Sequence, residues 1–241
     1  MFNKAVEIKN LNYAYPDGTK ALSGINLDIL KGESIGLIGH NGAGKTSLLL
    51  HLNGILKGAG EIKVAGLTIT KENLSTIRSK VGIVFQDPDS QLFMPTVFDD
   101  VAFGPINMGL KKEDIINSTH RALTNVDMLG HKEKIAHHLS FGEKKRASIA
   151  TILSMNPEII VLDEPTSNLD HRHRKNIITL IKNLNMTKII ASHDMGLIQA
   201  VCEKIIIMDK GEIALEGLTD DLFNNKELLS KYEIDYTARG I

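Results

Sequence analysis

Residues 39–46 read Gly-His-Asn-Gly-Ala-Gly-Lys-Thr and match the phosphate-binding pattern G-x-x-x-x-G-K-[ST] at every fixed position. An apolar run at 34–38 precedes the loop and Ser-Leu-Leu-Leu-His-Leu at 47–52 follows it, so the loop joins a predicted strand to a predicted helix. Glycines at such a turn allow backbone N–H groups to surround phosphate oxygens, and the helix that follows adds the positive end of its dipole. This stretch therefore predicts an α/β protein that binds a nucleoside triphosphate.

Residues within this loop have distinct expected roles. Lys45 is placed to reach the β- and γ-phosphates, and the hydroxyl of Thr46 is placed to bind Mg²⁺. The predicted nucleotide-binding residues of the loop are Gly39, His40, Asn41, Gly42, Ala43, Gly44, Lys45, Thr46 and Ser47.

The bulk composition excludes several classes of protein. The 241 residues can bury a substantial core as one large or two small domains. Because 28 basic and 29 acidic residues give a net charge of −1, composition provides no overall attraction to nucleic acid. No apolar stretch approaches the ~18 residues that span a bilayer, and residues 1–8 lack a signal-peptide pattern. We expect a soluble, cytosolic chain whose one cysteine, Cys202, is a small core residue.

Short apolar runs rich in β-branched residues indicate an α/β fold. Alternating runs at 5–11 and 22–29 predict an N-terminal antiparallel pair, and residues 61–65 and 67–70 flank Gly66 as in a hairpin. A further strand is expected at 212–216. The runs that predict a buried parallel sheet are residues 35–38, 81–85, 159–162, 188–191 and 204–208.

Between the second and third of these parallel strands the pattern becomes mostly helical, at residues 111–129 and 142–154. This pattern predicts a helical subdomain inserted into the α/β core. We expect one domain over 1–241, with its core and β subdomain in 1–86 and 157–219 and the helical subdomain in 87–156. Residues 220–241 are expected to be a short polar tail that begins as a helix.

A second strong feature is an acidic pair at the end of a buried strand, in Glu-Ile-Ile-Val-Leu-Asp-Glu at 158–164. Ligands of open α/β sheets collect at the carboxyl ends of the strands. Burying unpaired carboxylates is costly, so Mg²⁺ bound to phosphates is the expected partner of Asp163. Glu164 is then placed to orient or deprotonate an attacking water.

A further motif gives the chain a family resemblance. Leu-Ser-Phe-Gly-Glu at 139–143, ahead of the acidic pair, resembles the signature of ATP-binding-cassette (ABC) proteins. The resemblance covers residues 5–225 and implies the ABC ATPase fold, with a phosphate-loop core, an antiparallel β subdomain and an inserted helical subdomain. It also implies that the nucleotide is ATP and that Mg²⁺ is the cofactor.

The resemblance also implies roles for single residues. Tyr15 resembles the aromatic residue that stacks on adenine, although Tyr13 is an alternative that position alone disfavours. Gln86 resembles the glutamine that contacts Mg²⁺ and the attacking water, and His193 resembles the histidine that senses the γ-phosphate. Residues 167–170 resemble the loop that meets the opposite subunit, ending at Asp170.

The signature also has a direct physical interpretation. Ser140 and Glu143 fit an S-x-x-E capping box, so a helix is expected to begin at this serine. In the family this helix end faces the ATP of the other subunit, which implies trans contacts from residues 140–143 and Asp170. The sequence departs from Leu-Ser-Gly-Gly-Gln at Phe141 and Glu143, whereas Ser140 and Gly142 agree with it.

The segment after Gln86 favours a role in transport. Residues 92–103 carry more apolar side chains than a surface loop needs, and an exposed subset of them could receive a partner helix. In importers of the family this region binds the coupling helix of the membrane subunit. The sequence of the segment after Gln86, together with residues 51–54 and 142–146, resembles that of the energy-coupling-factor branch. Within this branch it is most similar to the ATPases of cobalt and nickel importers. A vitamin importer and a soluble ABC ATPase remain the alternatives.

These resemblances imply a peripheral ATPase at the cytoplasmic face of the membrane. Its expected partners are a second cassette, identical or paired, and integral membrane subunits, with no nucleic acid. His-His at 137–138 and His-Arg-His at 171–173 lack Cys or Asp partners at ligand spacing. We therefore expect solvated or interface histidines there, and other subunits to handle the transported ion.

Overall fold

The computed structural model describes residues 3–232 and 234, and in this part of the chain the fold is built from two sheets and the helices that cover them. The strands are β1 (Lys4–Ala14), β2 (Lys20–Leu30), β3 (Ser34–Ile38), β4 (Ala59–Val64), β5 (Leu67–Thr68), β6 (Val81–Val84), β7 (Ile159–Asp163), β8 (Thr187–Ala191), β9 (Lys204–Asp209) and β10 (Glu212–Leu218). The helices are α1 (Lys45–His51), α2 (Leu74–Lys80), α3 (Val97–Asn107), α4 (Lys112–Asn125), α5 (Phe141–Leu153), α6 (His171–Lys182), α7 (Met195–Val201), α8 (Thr219–Asn224) and α9 (Lys226–Lys231).

The central sheet has the strand order β10-β9-β3-β8-β7-β6, and the predicted parallel strands form it. Neighbouring strands from β9 to β6 pair in parallel, whereas β10 pairs antiparallel with β9. Every residue of β3, β7 and β8 is buried, which explains why these strands are continuous apolar runs without alternation. Their carboxyl ends lie at one edge of the sheet, beside one another.

A second, antiparallel sheet has the order β2-β1-β4-β5 and confirms the N-terminal β part of the predicted fold. The predicted hairpin around Gly66 is present, with Ala65 and Gly66 at positive φ of 48° and 80°. Its second strand is shorter than predicted, since β5 ends at Thr68. Side chains from both sheets and from α1, including Val6, Leu37 and Leu48, share one hydrophobic cluster.

Three helices, α3 to α5, pack against one another between β6 and β7 in the chain. The prediction of a helix to residue 129 was too long, because Asp127 takes a left-handed φ of 54° after α4 ends at Asn125. Helix α3 lies in the apolar segment after Gln86, where Thr96 caps it by accepting from the N–H of Asp99.

The opposite face of the central sheet packs on these helices. Ile160 and Leu162 belong to a cluster shared with α3 to α7, whereas Ile159 and Val161 face the cluster shared with the antiparallel sheet. The alternation along β7 thus places the strand between two cores, with its carboxyl end free for a ligand. The predicted tail begins with α8 and α9; residue 233 and residues 235–241 lie outside the described residues. No helix in the described ranges is both long and apolar enough to cross a membrane.

Candidate nucleotide site

A cleft of about 740 Å³ opens at the carboxyl edge of the central sheet, where β3, β7 and β8 end. It brings together residues from five separate sequence motifs: Tyr15, Asn41, Gly42, Gly44, Lys45, Thr46, Ser47, Gln86, Asp163, Glu164 and His193. It also includes Ser167, from the loop expected to meet the opposite subunit, and residues that no sequence motif had indicated: Thr19, Lys20, Ala21, Thr166 and Asp194.

The phosphate loop forms one wall of this cleft. Gly39, Gly42 and Gly44 have φ values of 147°, 83° and 103°, which explains the requirement for glycine at these turns. Lys45 is buried, and its Nζ donates to the carbonyl oxygens of Gly39 at 2.7 Å and His40 at 3.1 Å. Burial lowers the pKa of Lys45, although the charges of the nearby acidic pair oppose this change. Phosphate oxygens would replace backbone carbonyls as partners of this ammonium.

Asp163 lies across the cleft from the loop. Its Oδ2 accepts a hydrogen bond of 2.8 Å from the hydroxyl of Thr46. Burial raises the pKa of Asp163, and that hydrogen bond opposes the change. A buried carboxylate beside a hydroxyl, with Gln86 lining the same cleft, is a set of oxygen donors that fits Mg²⁺.

Glu164 is held by the loop that follows β8. Its Oε1 accepts from the N–H of His193 at 3.0 Å, and its Oε2 accepts from the hydroxyl of Ser192 at 3.1 Å. Burial raises the pKa of Glu164 against these hydrogen bonds, which makes its carboxylate a stronger base. The residue has a left-handed φ of 47°, and its N–H donates to Ala191 at 2.9 Å.

His193 reaches the phosphate loop across the cleft. Its Nε2 lies 2.9 Å from Oδ1 of Asn41 and 3.4 Å from Nζ of Lys45. Burial and the charge of Lys45 lower the pKa of His193, so the ring is neutral at pH 7. A neutral imidazole can donate through one nitrogen at the place where a γ-phosphate is expected.

The structure places Tyr15, and not Tyr13, in the cleft. The hydroxyl of Tyr15 is 2.8 Å from that of Ser47, and its ring is partly exposed. Tyr13 packs edge-on against Tyr15 and against His51, with ring centroids 5.1 and 4.9 Å apart. Tyr13 thus supports the exposed ring from behind.

The signature lies at the start of α5, and within the described residues neither residues 140–143 nor Asp170 lines the cleft. The predicted capping box is present: the N–H of Glu143 donates to the hydroxyl of Ser140, and Oε2 of Glu143 accepts from the Ser140 N–H at 2.7 Å. These hydrogen bonds lower the pKa of Glu143. Asp170 caps α6 by accepting from the N–H of His173 at 2.9 Å.

Further polar residues around the cleft were missed by the sequence analysis. Asp194 accepts from Nε and Nη2 of Arg174, both at 2.6 Å, and from the hydroxyl of Thr166 at 2.9 Å. Lys145 is fully buried, and burial lowers its pKa to about 8. Helical periodicity could have identified this lysine, because position 145 lies on the same face as the buried Ile149 and Ile152.

The cleft defines a phosphate-loop nucleoside triphosphatase, and comparison with known proteins specifies the family. The ABC transporter family model matches residues 22–167. The energy-coupling factor transporter ATP-binding protein EcfA of Methanothermobacter thermautotrophicus is 47% identical over 94% of this chain and 75% of that protein. The chain therefore belongs to the ABC transporter family and is one of its ATPases.

Solved structures agree with this assignment. The structure of cbiO1 from Clostridium perfringens, described as part of the ABC transporter complex cbiONQ, has a TM-score of 0.83 at 39% identity and covers 95% of this chain and 94% of that one. The dimeric structure of a bacterial ABC transporter cassette has a TM-score of 0.80 at 27% identity, covering 89% and 98%.

Proposed function

We propose that this chain is the ATP-hydrolysing subunit of an energy-coupling-factor importer. Its movements would be transmitted to a membrane partner that docks in a groove beside α3. Its similarity to EcfA relatives favours this branch. The observation that carries the transport role is the groove, because the nucleotide site alone is compatible with any ABC ATPase.

The docking groove is a cavity of about 650 Å³ lined on its apolar side by Ile55, Phe93, Phe103, Met108 and Met155. Phe93 is 64% exposed and Phe103 is 42% exposed, and their rings meet edge-on at 5.2 Å. Exposing two aromatic rings together is unfavourable in water, and an apolar groove of this kind suits an amphipathic helix. The neighbouring apolar residues Leu92, Val97 and Val101 are buried in the core.

Hydrogen bonds connect the groove to the segment that leads to the nucleotide site. Asp100, in α3, accepts from the N–H groups of Phe93 and Met94, each at 2.9 Å, which fixes the loop that presents the exposed ring. Gln91, in the same loop, donates to the carbonyl of Ser148 and accepts from the N–H of Phe85, next to Gln86. A helix seated in the groove would therefore sense movements of the segment that leads to Gln86.

The chemistry follows from the arrangement of the cleft. Lys45 would bind the β- and γ-phosphates, while Thr46, Asp163 and Gln86 would hold Mg²⁺. When bound, the metal would neutralise charge on the phosphate oxygens. Glu164 would accept a proton from the attacking water on its carboxylate, already oriented by Ser192 and the N–H of His193. The ring of His193 would donate to the γ-phosphate as charge develops.

The site of one chain would be completed by a second cassette. Ser140, Phe141, Gly142 and Asp170 would contact the ATP of the partner, as the family resemblance implies. That none of them lines the cleft of its own chain agrees with this role. The capping box leaves the carboxylate of Glu143 engaged with Ser140, which supports a structural role for Glu143 over direct contact with nucleotide. The dimer is either a homodimer or a pair of related cassettes, and the dimeric relative supports this arrangement.

For the cargo we propose a cobalt or nickel ion, on the resemblance of residues 51–54 and 142–146 to ATPases of such importers. The cbiO1 neighbour supports a cbiONQ-type complex. The EcfA relatives favour a vitamin equally, and this is the second candidate. In either case we place the chain at the cytoplasmic face of the membrane, held there by its partner subunits.

The hydrolytic role is tested by Glu164→Gln, which preserves the size of the side chain and removes the proton acceptor. We expect hydrolysis to fall by at least about a hundredfold while ATP binding is retained. The ATP-bound dimer should then accumulate, as seen by size-exclusion chromatography. Undiminished hydrolysis by this variant would show that Glu164 is not the base.

The transport role is tested by co-purification and uptake. Tagged chain expressed with the complete operon should co-purify with integral membrane subunits, and cells carrying that operon should take up labelled cobalt, nickel or a vitamin. Uptake of one labelled compound, lost in the Glu164→Gln cells, would identify the cargo. A chain that co-purified with DNA or ribosomes and never with membrane subunits would contradict the proposal.

A further inference from the structure

A buried lysine of the signature helix contacts the main chain of Gln86, proposed to hold Mg²⁺, and of Glu164, proposed as the base. Lys145 has 0% exposure, and its Nζ donates to the carbonyl oxygens of Gln86 at 2.6 Å and Glu164 at 3.0 Å. Removing an ammonium from water is costly unless its hydrogen bonds are replaced. Because an apolar side chain could fill the same space without this desolvation cost, the lysine suggests a role beyond packing.

Lys145 joins three separate parts of the fold. It is in the second turn of α5, the helix that Ser140 caps. Gln86 follows β6, and Glu164 follows β7 at the adjacent carboxyl end of the sheet. The ring of Phe141 covers the ammonium, with its centroid 5.7 Å from Nζ. This phenylalanine is the residue that replaces a glycine of the family signature, so the departure from the signature encloses the lysine.

The main chain at Glu164 needs such support. With a left-handed φ of 47°, this residue has a backbone conformation that L side chains rarely adopt, and it persists where the surroundings hold it. Its carbonyl accepts from Lys145 and from the hydroxyl and N–H of Ser167, at 2.9 and 3.2 Å. Rotation of this peptide would move the carboxylate away from Ser192.

We propose that Lys145 is a positioning residue for hydrolysis: it holds the main chain of Gln86 and Glu164 so that both side chains face the same nucleotide. Because it is fixed in α5, it also transmits movements of the signature helix to that pair. The inference rests on the proposed role of Glu164 as the base. Lys145 acts through backbone carbonyls and does not touch the nucleotide cleft from the front.

The chain offers a matched control for a buried lysine. Lys188 is 8% exposed, and its Nζ donates to the carbonyl of Leu184 at 2.8 Å. It lies near the start of β8, whereas the cleft lies at the carboxyl end of that strand. Replacing either lysine by methionine removes a buried ammonium while it retains a long, flexible side chain of similar volume.

The test compares Lys145→Met, Lys145→Arg and Lys188→Met in the full-length chain. The readouts are kcat for Mg²⁺-ATP hydrolysis, the Kd for ATP and the melting temperature, Tm. For Lys145→Met we expect kcat to fall about 10- to 100-fold with the Kd for ATP unchanged, since loss of alignment affects the transition state more than binding. Lys145→Arg, which keeps the charge and the donors, should recover most of kcat. Lys188→Met should change Tm alone.

Two results would overturn the inference. One is a Lys145→Met chain that keeps kcat within about threefold of the unchanged chain, because a loss of alignment costs far more than that. The other is a fall in kcat for Lys145→Met that is not specific to this lysine or its charge. Such a fall would be reproduced by Lys188→Met, or would persist in Lys145→Arg although the Tm of that variant is unchanged. Glu164→Gln, measured in parallel, separates the two proposals. If Glu164→Gln still hydrolyses ATP, Glu164 is not the base and the proposed function fails. If Lys145→Met is active while Glu164→Gln is inactive, only the positioning role of Lys145 is refuted.

Discussion

The ion pair between Arg174 and Asp194 should make a large contribution to stability for a pair so near the surface. It joins α6 to the start of α7 through two hydrogen bonds of 2.6 Å. The side chains are 26% and 17% exposed. Removing one partner of a fully buried pair costs about 3–5 kcal/mol. Partial exposure screens the charges, so we expect Arg174→Met to lower the free energy of unfolding by about 2 kcal/mol at pH 7.

The pH dependence of this loss follows from the pKa of Asp194. Burial raises that pKa, but Arg174, the N–H of Leu197 and Thr166 together lower it below its ordinary value of 3.8. A carboxyl with a lowered pKa stabilises the fold above its unfolded-state pKa and loses this contribution as pH falls through the folded value. The difference in the free energy of unfolding between the unchanged chain and Arg174→Met should therefore be largest above about pH 5 and shrink below about pH 4.

The assay is urea unfolding followed by circular dichroism, in a double-mutant cycle with Asp194→Asn. Asparagine can still cap α7, so this change removes charge while it keeps the cap to Leu197. We expect a coupling energy of about 1–2 kcal/mol. Lys63→Met removes the half-exposed partner of Glu61 in a surface ion pair and should change the free energy of unfolding by less than about 1 kcal/mol. A coupling energy near zero at pH 7, or a loss in the free energy of unfolding that does not shrink as the pH falls below the unfolded-state pKa of Asp194, would refute the reasoning.

Three further predictions concern the docking groove, the signature and the adenine site. Phe93→Asp should abolish co-purification with membrane subunits while hydrolysis by the isolated chain persists. Leu218→Asp, at another exposed apolar residue, should leave co-purification intact. Equal losses of co-purification in both variants would contradict the assignment of the groove as the docking site. Gly142→Ala should weaken dimer-dependent hydrolysis, because a Cβ there would lie 2.6 Å from the ring of His173, whereas Gly130→Ala meets nothing within 4 Å and should be silent. Tyr15→Ala should raise the Kd for ATP about 2- to 10-fold, since an aromatic contact is worth about 0.5–1.5 kcal/mol. Tyr13→Ala should raise that Kd less than Tyr15→Ala does, and the reverse ranking would reassign the stacking residue.

Much of the fold was accessible from the sequence because its signals are local. A parallel strand buried on both faces needs an apolar run, so β3, β7 and β8 were visible without any contact information. The ends of α4 and β5 were misplaced, because they depend on single backbone conformations such as the left-handed Asp127. Helix α3 was missed since its apolar residues are divided between the core and the docking groove, which obscures a helical period.

The family, the order of its motifs and the phosphate loop at 39–46 could be recognised from the sequence alone, since each is a pattern of neighbouring residues. The tertiary structure decided which distant residues meet: Thr46 against Asp163, Tyr15 and not Tyr13 in the cleft, and Lys145 behind Glu164. The physical reason is that the local sequence pattern determines only on which face of its own helix or strand a side chain lies. What that face meets depends on how the sheet and the helices pack, and packing joins residues far apart in the chain.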